Sequence, residues 1–160
     1  MADCWLSFDE AIAAWRLGEI SLEYLPAAAV DAMTAGGDSA SLLRLAGMED
    51  ATWSEIEPLA LRVLADRGRS LPDQEEAVRA VANGIARRIV SGDAVPEEAA
   101  RRLNLLAWLV EGRPAHDDLW PFAGLWSSLE AVETGQVSIG QLRAAIVKEA
   151  VALLDRGGVR

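Results

Sequence analysis

Residues 52–68 read TWSEIEPLALRVLADRG, and the pattern in this stretch decides the fold. Thr52 stands three residues before Glu55, and Ser54 three before Glu57. Both pairs have the spacing of a capping box, in which the hydroxyl and the carboxylate each accept a bond from an orphan N–H at a helix start. Ile56, Leu59, Val63 and Leu64 then recur at intervals of three and four, the period of one face of an α-helix. Gly68 supplies the stop.

The same pattern extends in both directions. Phe8, Ala11, Ile12 and Trp15 form one face of a first helix ended by Gly18; Ser21 opens a second with Leu22, Leu25, Ala29 and Met33, stopped by Gly36 and Gly37. Ser39 caps a short third helix carrying Leu42, Leu43 and Leu45. Beyond Gly68, Asp73 opens a long segment to Ser91 with Ala77, Val78, Val81, Ile85 and Ile89 on one side. Pro96 suits a first helical position, and Leu103, Leu106, Ala107 and Val110 follow. Leu119, Phe122, Trp126 and Leu129 make a seventh stripe, and Ser138 caps a last helix with Leu142, Ile146 and Leu153. No segment alternates with period two. The expectation is an all-α fold: a single domain over residues 1–160, a bundle of about eight mostly antiparallel helices with no sheet.

Three links resemble each other: LGEISLEYL, SGDAVPEEA and TGQVSIGQL. In each, Gly18, Gly92 or Gly135 is set to take the left-handed position just past a helix, with an apolar residue beyond it to pack back. Their unequal spacing marks recurring turn chemistry rather than a solenoid. Pro26, Pro58 and Pro121 each follow a candidate cap by four or five residues and read as devices that bend helix entries.

Composition narrows function. The chain has 160 residues, 51% of them hydrophobic, and a net charge of −10. Neutralising phosphates needs a basic face, so nucleic-acid binding is not expected. The bias to arginine (one lysine, Lys148) and alanine suggests a GC-rich bacterial genome. The single cysteine, Cys4, agrees with a reducing cytoplasm. The N-terminal stretch MADCWLSFDEAIAAWR lacks the basic start of a signal peptide, and the longest apolar run, LNLLAWLV, is too short to cross a bilayer. A cytoplasmic protein away from membranes is expected.

The sole histidine lies in HDDLWPFAGLW, residues 116–126. His116 with Asp117 and Asp118 has the elements of a base or ligand site. Zinc usually takes at least three protein ligands, however, and capping accounts for the aspartates: one of them caps a helix, with Pro121 in its first turn and His116 just outside. TAGGDSAS lacks the strand and the Lys-Ser/Thr of a phosphate loop. Glu97 and Glu98 each precede an arginine by four residues, Arg101 and Arg102, the favourable order for surface ion pairs. No catalytic residue, metal site or cofactor is expected.

The six tryptophans divide. Trp15, Trp108 and Trp126 fall on apolar stripes and read as core, whereas Trp5 and Trp53 stand at element ends. Charge divides too: residues 1–66 hold twelve acids and three arginines, a balance of −9. An acidic face with aromatic anchors suits a basic protein partner, and the candidate contact residues are Trp5, Glu19, Glu23, Trp53, Glu55 and Glu57. A non-catalytic bacterial interaction protein, of the inhibitor or immunity type, is the leading reading. The alternative is an enzyme or small-molecule binder with a helical pocket at His116, Asp117 and nearby tryptophans.

AAAVDAMTAGGDSASLLRLAGM (27–48), followed by EIEPLALRVLADRG (55–68), resembles a stretch found in small helical proteins of unknown function from high-GC bacteria. That resemblance implies a helical fold and brings no catalytic residues.

Overall fold

The computed structural model describes residues 7–48 and 51–157. They form α-helices α1 (Phe8–Arg16), α2 (Leu25–Thr34), α3 (Ala40–Ala46), α4 (Trp53–Asp66), α5 (Gln74–Ser91), α6 (Pro96–Leu109), α7 (Pro114–Leu119), α8 (Pro121–Ser127), α9 (Leu129–Glu133) and α10 (Ile139–Gly157). A single 3-10 turn, Leu22–Tyr24, precedes α2. There is no strand among the described residues. The fold is all-α.

Side chains satisfy the helix starts where the sequence places them. At α4 the Thr52–Glu55 box is the one made, and Ser54 lies inside the helix. Ser7 and Glu10 close a second box on α1. Asp73 and Glu76 exchange two bonds of 2.9 Å before α5. Ser138 and Gln141 do the same for α10 at 3.0 and 3.1 Å. Ser39 accepts from the Leu42 N–H at 3.1 Å. Each bond satisfies an N–H that has no partner within its helix.

The three glycine links form as expected. Gly18, Gly92 and Gly135 have φ of 74°, 84° and 74°, a region costly for any residue with a Cβ. The next N–H then reaches back to the helix: Glu19 to the Ala14 carbonyl, Asp93 to Arg88 and Gln136 to Ala131, each at 2.9 Å. These are the long bonds of Schellman ends.

Two of the eight predicted segments subdivide. The Ser21 start gives the 3-10 turn, without a side-chain cap bond, before α2 proper. The 114–133 region becomes three short helices, which corrects the reading of Asp117 or Asp118 as a cap. Both lie within α7, as does His116, and Pro114 occupies the first turn. The physical cause of the break is Pro121. It has no N–H to give the Asp117 carbonyl and its ring crowds that oxygen, so α7 ends and α8 begins across Trp120. Farther on, the Ser127 and Ser128 hydroxyls donate to the Ala123 and Gly124 carbonyls, both at 2.9 Å, and α8 gives way to α9. Pro58 also departs from expectation. Pro26 and Pro121 occupy first turns, but Pro58 lies farther inside α4 and leaves the Ser54 carbonyl without its helical donor.

The chain forms two compact units, one ending at Ala80 and the other beginning at Val81. In the first, α2 packs on α1, α3 and α4. Its core contains Phe8, Ile12, Leu22, Leu25, Leu42, Leu45, Ile56 and Val63, with alanines between them at close helix approaches. In the second, α6 packs on α7, α8 and α10, around Leu103, Leu106, Leu119, Phe122 and Ile146.

Candidate functional site

The 3-10 turn carrying Glu23 and Tyr24 packs on α4, the helix of Trp53, Glu55 and Glu57. This contact brings two acidic segments of the first unit together. Trp53 occupies the first position of α4 and is 60% exposed, and Glu19, Glu23 and Glu57 are exposed as well. Trp5 lies outside the described residues.

The two α4 glutamates do different things. At 100° per residue they stand about 200° apart around the helix, so a single flat partner meets one and not the other. Glu55 is engaged in the cap: its carboxylate accepts from the Thr52 hydroxyl at 2.6 Å and the Thr52 N–H at 2.9 Å. Those two bonds hold its pKa below the usual carboxylate value, the hydroxyl contributing most. Glu57 shares a stripe with Trp53 and Leu61, at four-residue steps, and all three are exposed. Tyr24, 45% exposed, completes the aromatic set.

Beside this stripe a shallow depression of about 420 Å³ is lined by Arg44, Met48, Ser54, Glu55, Pro58 and Leu59. A second cavity of the same unit, about 360 Å³, lies between α1, the end of α4 and the start of α5. At its edge Asp9 binds Arg69 at 2.6 Å and Arg67 at 3.6 Å, and the Arg67 guanidinium lies 5.2 Å from the Phe8 ring centre. Ser70 and Glu76 also line this cavity. Charge pairing there closes the loop after α4.

His116 lines neither cavity. Its Nδ1 is 3.6 Å from the neighbouring Asp117 carboxylate, and its ring lies 5.0 Å from Trp120 at an interplanar angle of 33°. Trp120 meets Trp108 edge to face at 5.7 Å and 78°. The histidine is one member of an aromatic stack. No group of three His, Cys, Asp or Glu able to hold a metal occurs among the described residues.

Trp108 is a correction. Its place on an apolar stripe predicts a core residue, yet it is 52% exposed, with Trp120 at 48%. The signal was in the helical phase. Ala99, Ala100, Leu103, Leu106, Ala107 and Val110 are the buried face of α6, and Leu105 and Trp108 fall on the opposite side. Trp15 and Trp126 are half-buried. The expected Glu97–Arg101 pair is replaced by a longer-range one: Glu97 takes the Arg143 guanidinium at 2.8 Å, joining α6 to α10.

Compared with protein families, curated proteins and solved structures, the chain matches none. No helix among the described residues is long and apolar enough to cross a membrane.

Proposed function

We propose that this chain is a non-catalytic interaction protein whose first unit receives a basic protein partner, in the manner of an inhibitor or immunity protein. One observation carries the reading: the turn bearing Glu23 and Tyr24 packs on α4, whose Trp53 and Glu57 share an exposed stripe. An exposed tryptophan and tyrosine supply apolar contact area with a polar edge, the side chains enriched where binding energy concentrates. The −9 balance of residues 1–66 supplies the field that draws a cation-rich surface in. The same sign of charge repels phosphate backbones, so the partner is a protein and not a nucleic acid. A cytoplasmic site of action in a GC-rich bacterium fits the single cysteine and the resemblance of residues 27–68.

The test is capture from lysate of the source cells on immobilised wild-type protein and on the Glu23→Lys/Trp53→Ala/Glu57→Lys variant. The expected result is a protein with a basic surface, retained by the wild type and lost by the variant at low salt. Equal retention by both would exclude this face.

A further inference from the structure

We infer that the cavity between α1, the end of α4 and the start of α5 is a binding site for a free α-amino acid with an aliphatic side chain. Its lining offers three chemistries at once. The apolar part is aliphatic: Ile12 and Leu64, which are buried, and Pro72 and Ala80, which are half-buried. Arg69 supplies a cation and Glu76 an anion. Both are exposed and line the same cavity, yet no ion pair joins them among the described residues. Ser70, next to Arg69, adds a hydroxyl that makes no hydrogen bond among the described residues. Two opposite charges set apart on one wall, with an apolar wall beside them, call for a ligand that carries the complementary pair.

Each charged group is held by a neighbour and keeps an unused edge. The Arg69 Nη1 binds Asp9 at 2.6 Å, which leaves Nε and Nη2, the fork that takes a carboxylate side-on through two parallel bonds. Glu76 accepts the Asp73 N–H at 2.9 Å through Oε2, which leaves Oε1 for an ammonium. Asp9 and Glu76 stand in the first turns of α1 and α5, so both anchors are in place before a ligand arrives, which lowers the cost of binding. Charge selects the ligand. Asp9 and Glu76 balance Arg67 and Arg69, so a net anion or a net cation is repelled by one pair as much as it is attracted by the other. A zwitterion gains from both: its carboxylate on Arg69 and Ser70, its ammonium on Glu76, its side chain against Ile12 and Leu64. A volume of about 360 Å³ stands at the small end of ligand pockets, roughly 300–1,000 Å³, and suits a single amino acid. The site shares no residue with the Trp53–Glu57 stripe and does not rest on the partner-binding reading.

Isothermal titration calorimetry of the full chain with L-leucine tests this. The expected result is saturable one-to-one binding with a Kd of about 1 mM or tighter. N-acetyl-L-leucine lacks the ammonium, L-leucinamide the carboxylate and glycine the aliphatic side chain, and each should bind about tenfold or more weakly. Glu76→Gln keeps an acceptor for the cap of α5 and removes the charge. It should lower the affinity for L-leucine about tenfold or more, with an unchanged helical circular dichroism spectrum. Ser70→Ala, at an exposed loop position, should lower it in the same direction. Glu57→Lys, on the proposed partner face, should leave it unchanged. No saturable heat with L-leucine overturns the proposal. So do blocked forms that bind as well as L-leucine, or Glu76→Gln and Ser70→Ala variants that both bind as the wild type does.

Discussion

The two units are built by the same local rules and present opposite kinds of surface. The first carries a net negative charge, part of it exposed, as at Glu19, Glu23 and Glu57, with aromatic residues standing singly, as Trp53 and Tyr24 do. The second is nearly neutral: its acids reach across helices to arginines, as Glu97 does to Arg143 and Asp118 to Arg156, while Glu149 pairs with Arg156 along α10 itself. Its exposed aromatics stand together, Trp108 against Trp120. Helix formation therefore does not determine what a helical surface is for. A net negative field acts at a distance and favours an oppositely charged partner, whereas an apolar surface acts only on contact.

Substitutions can sharpen or break this contrast. The largest effect is expected inside the second unit, at Phe122, which is fully buried. Phe122→Ala should lose about 3–5 kcal/mol in urea unfolding through lost transfer energy and the cavity left behind. Trp108→Ala, a surface aromatic of greater size, should lose well under half of that. Equal losses would mean that Trp108 is a core residue and not a surface one.

Next is the cross-helix pair. The Glu97 side chain is only 14% exposed, and its Oε2 is buried with no hydrogen-bond partner. Removing its cation with Arg143→Ala should cost about 1–3 kcal/mol, because a mostly buried carboxylate then loses its charged donor. Unfolding in urea at pH 7 measures it. The isosteric Glu97→Gln in the same background should recover part of the loss.

The cap of α4 comes third. Thr52→Ala should cost about 1 kcal/mol. Glu55 adds a pH signature whose sign follows from its lowered pKa. A carboxyl that ionises more readily in the folded state stabilises that state above its unfolded pKa, and the stabilisation fades as pH falls through the folded value. The gap between wild type and Glu55→Ala in thermal unfolding should therefore be full at pH 7 and close in acid below 4.5. A gap that widened in acid would contradict the cap. The smallest effect belongs to Arg62, whose pair with Asp66 is a single exposed helical turn. Arg62→Ala should change stability by about 0.5 kcal/mol or less in the same assay.

Much of this was legible in the sequence, because helical period and caps are local properties. The Ile56–Val63–Leu64 and Leu103–Leu106–Ala107–Val110 stripes are buried as read. What was not legible depends on competition between neighbours. The stripe from Leu119 to Leu129 looked like one helix capped at Asp117 or Asp118 because its apolar residues keep one period; the break at Pro121 and the second at Ser127–Ser128 come from carbonyls that lose or change their donors. Glu97 looked paired along its own helix, and only the approach of α10 shows that Arg143 is the better partner. For the candidate partner face, exposure of Glu19, Glu23, Trp53 and Glu57 agreed with their polarity and end positions. The capping-box spacing fits both Thr52–Glu55 and Ser54–Glu57, and only the structure shows that Glu55 is the one engaged by its cap residue.

The central claim is that a localised acidic face, not bulk acidity, draws the partner in. The direct measurement is the association rate of the captured partner across a range of ionic strength, for the wild type and two charge-matched variants. One variant is Glu23→Lys/Glu57→Lys in the first unit. The other is Glu130→Lys/Glu133→Lys in the second, where both residues are exposed and the net charge changes by the same amount. The account predicts a wild-type rate that falls steeply with salt, a rate about tenfold or more lower for the first variant, and a rate near wild type for the second. Equal slowing by both variants, or association indifferent to salt, would contradict it.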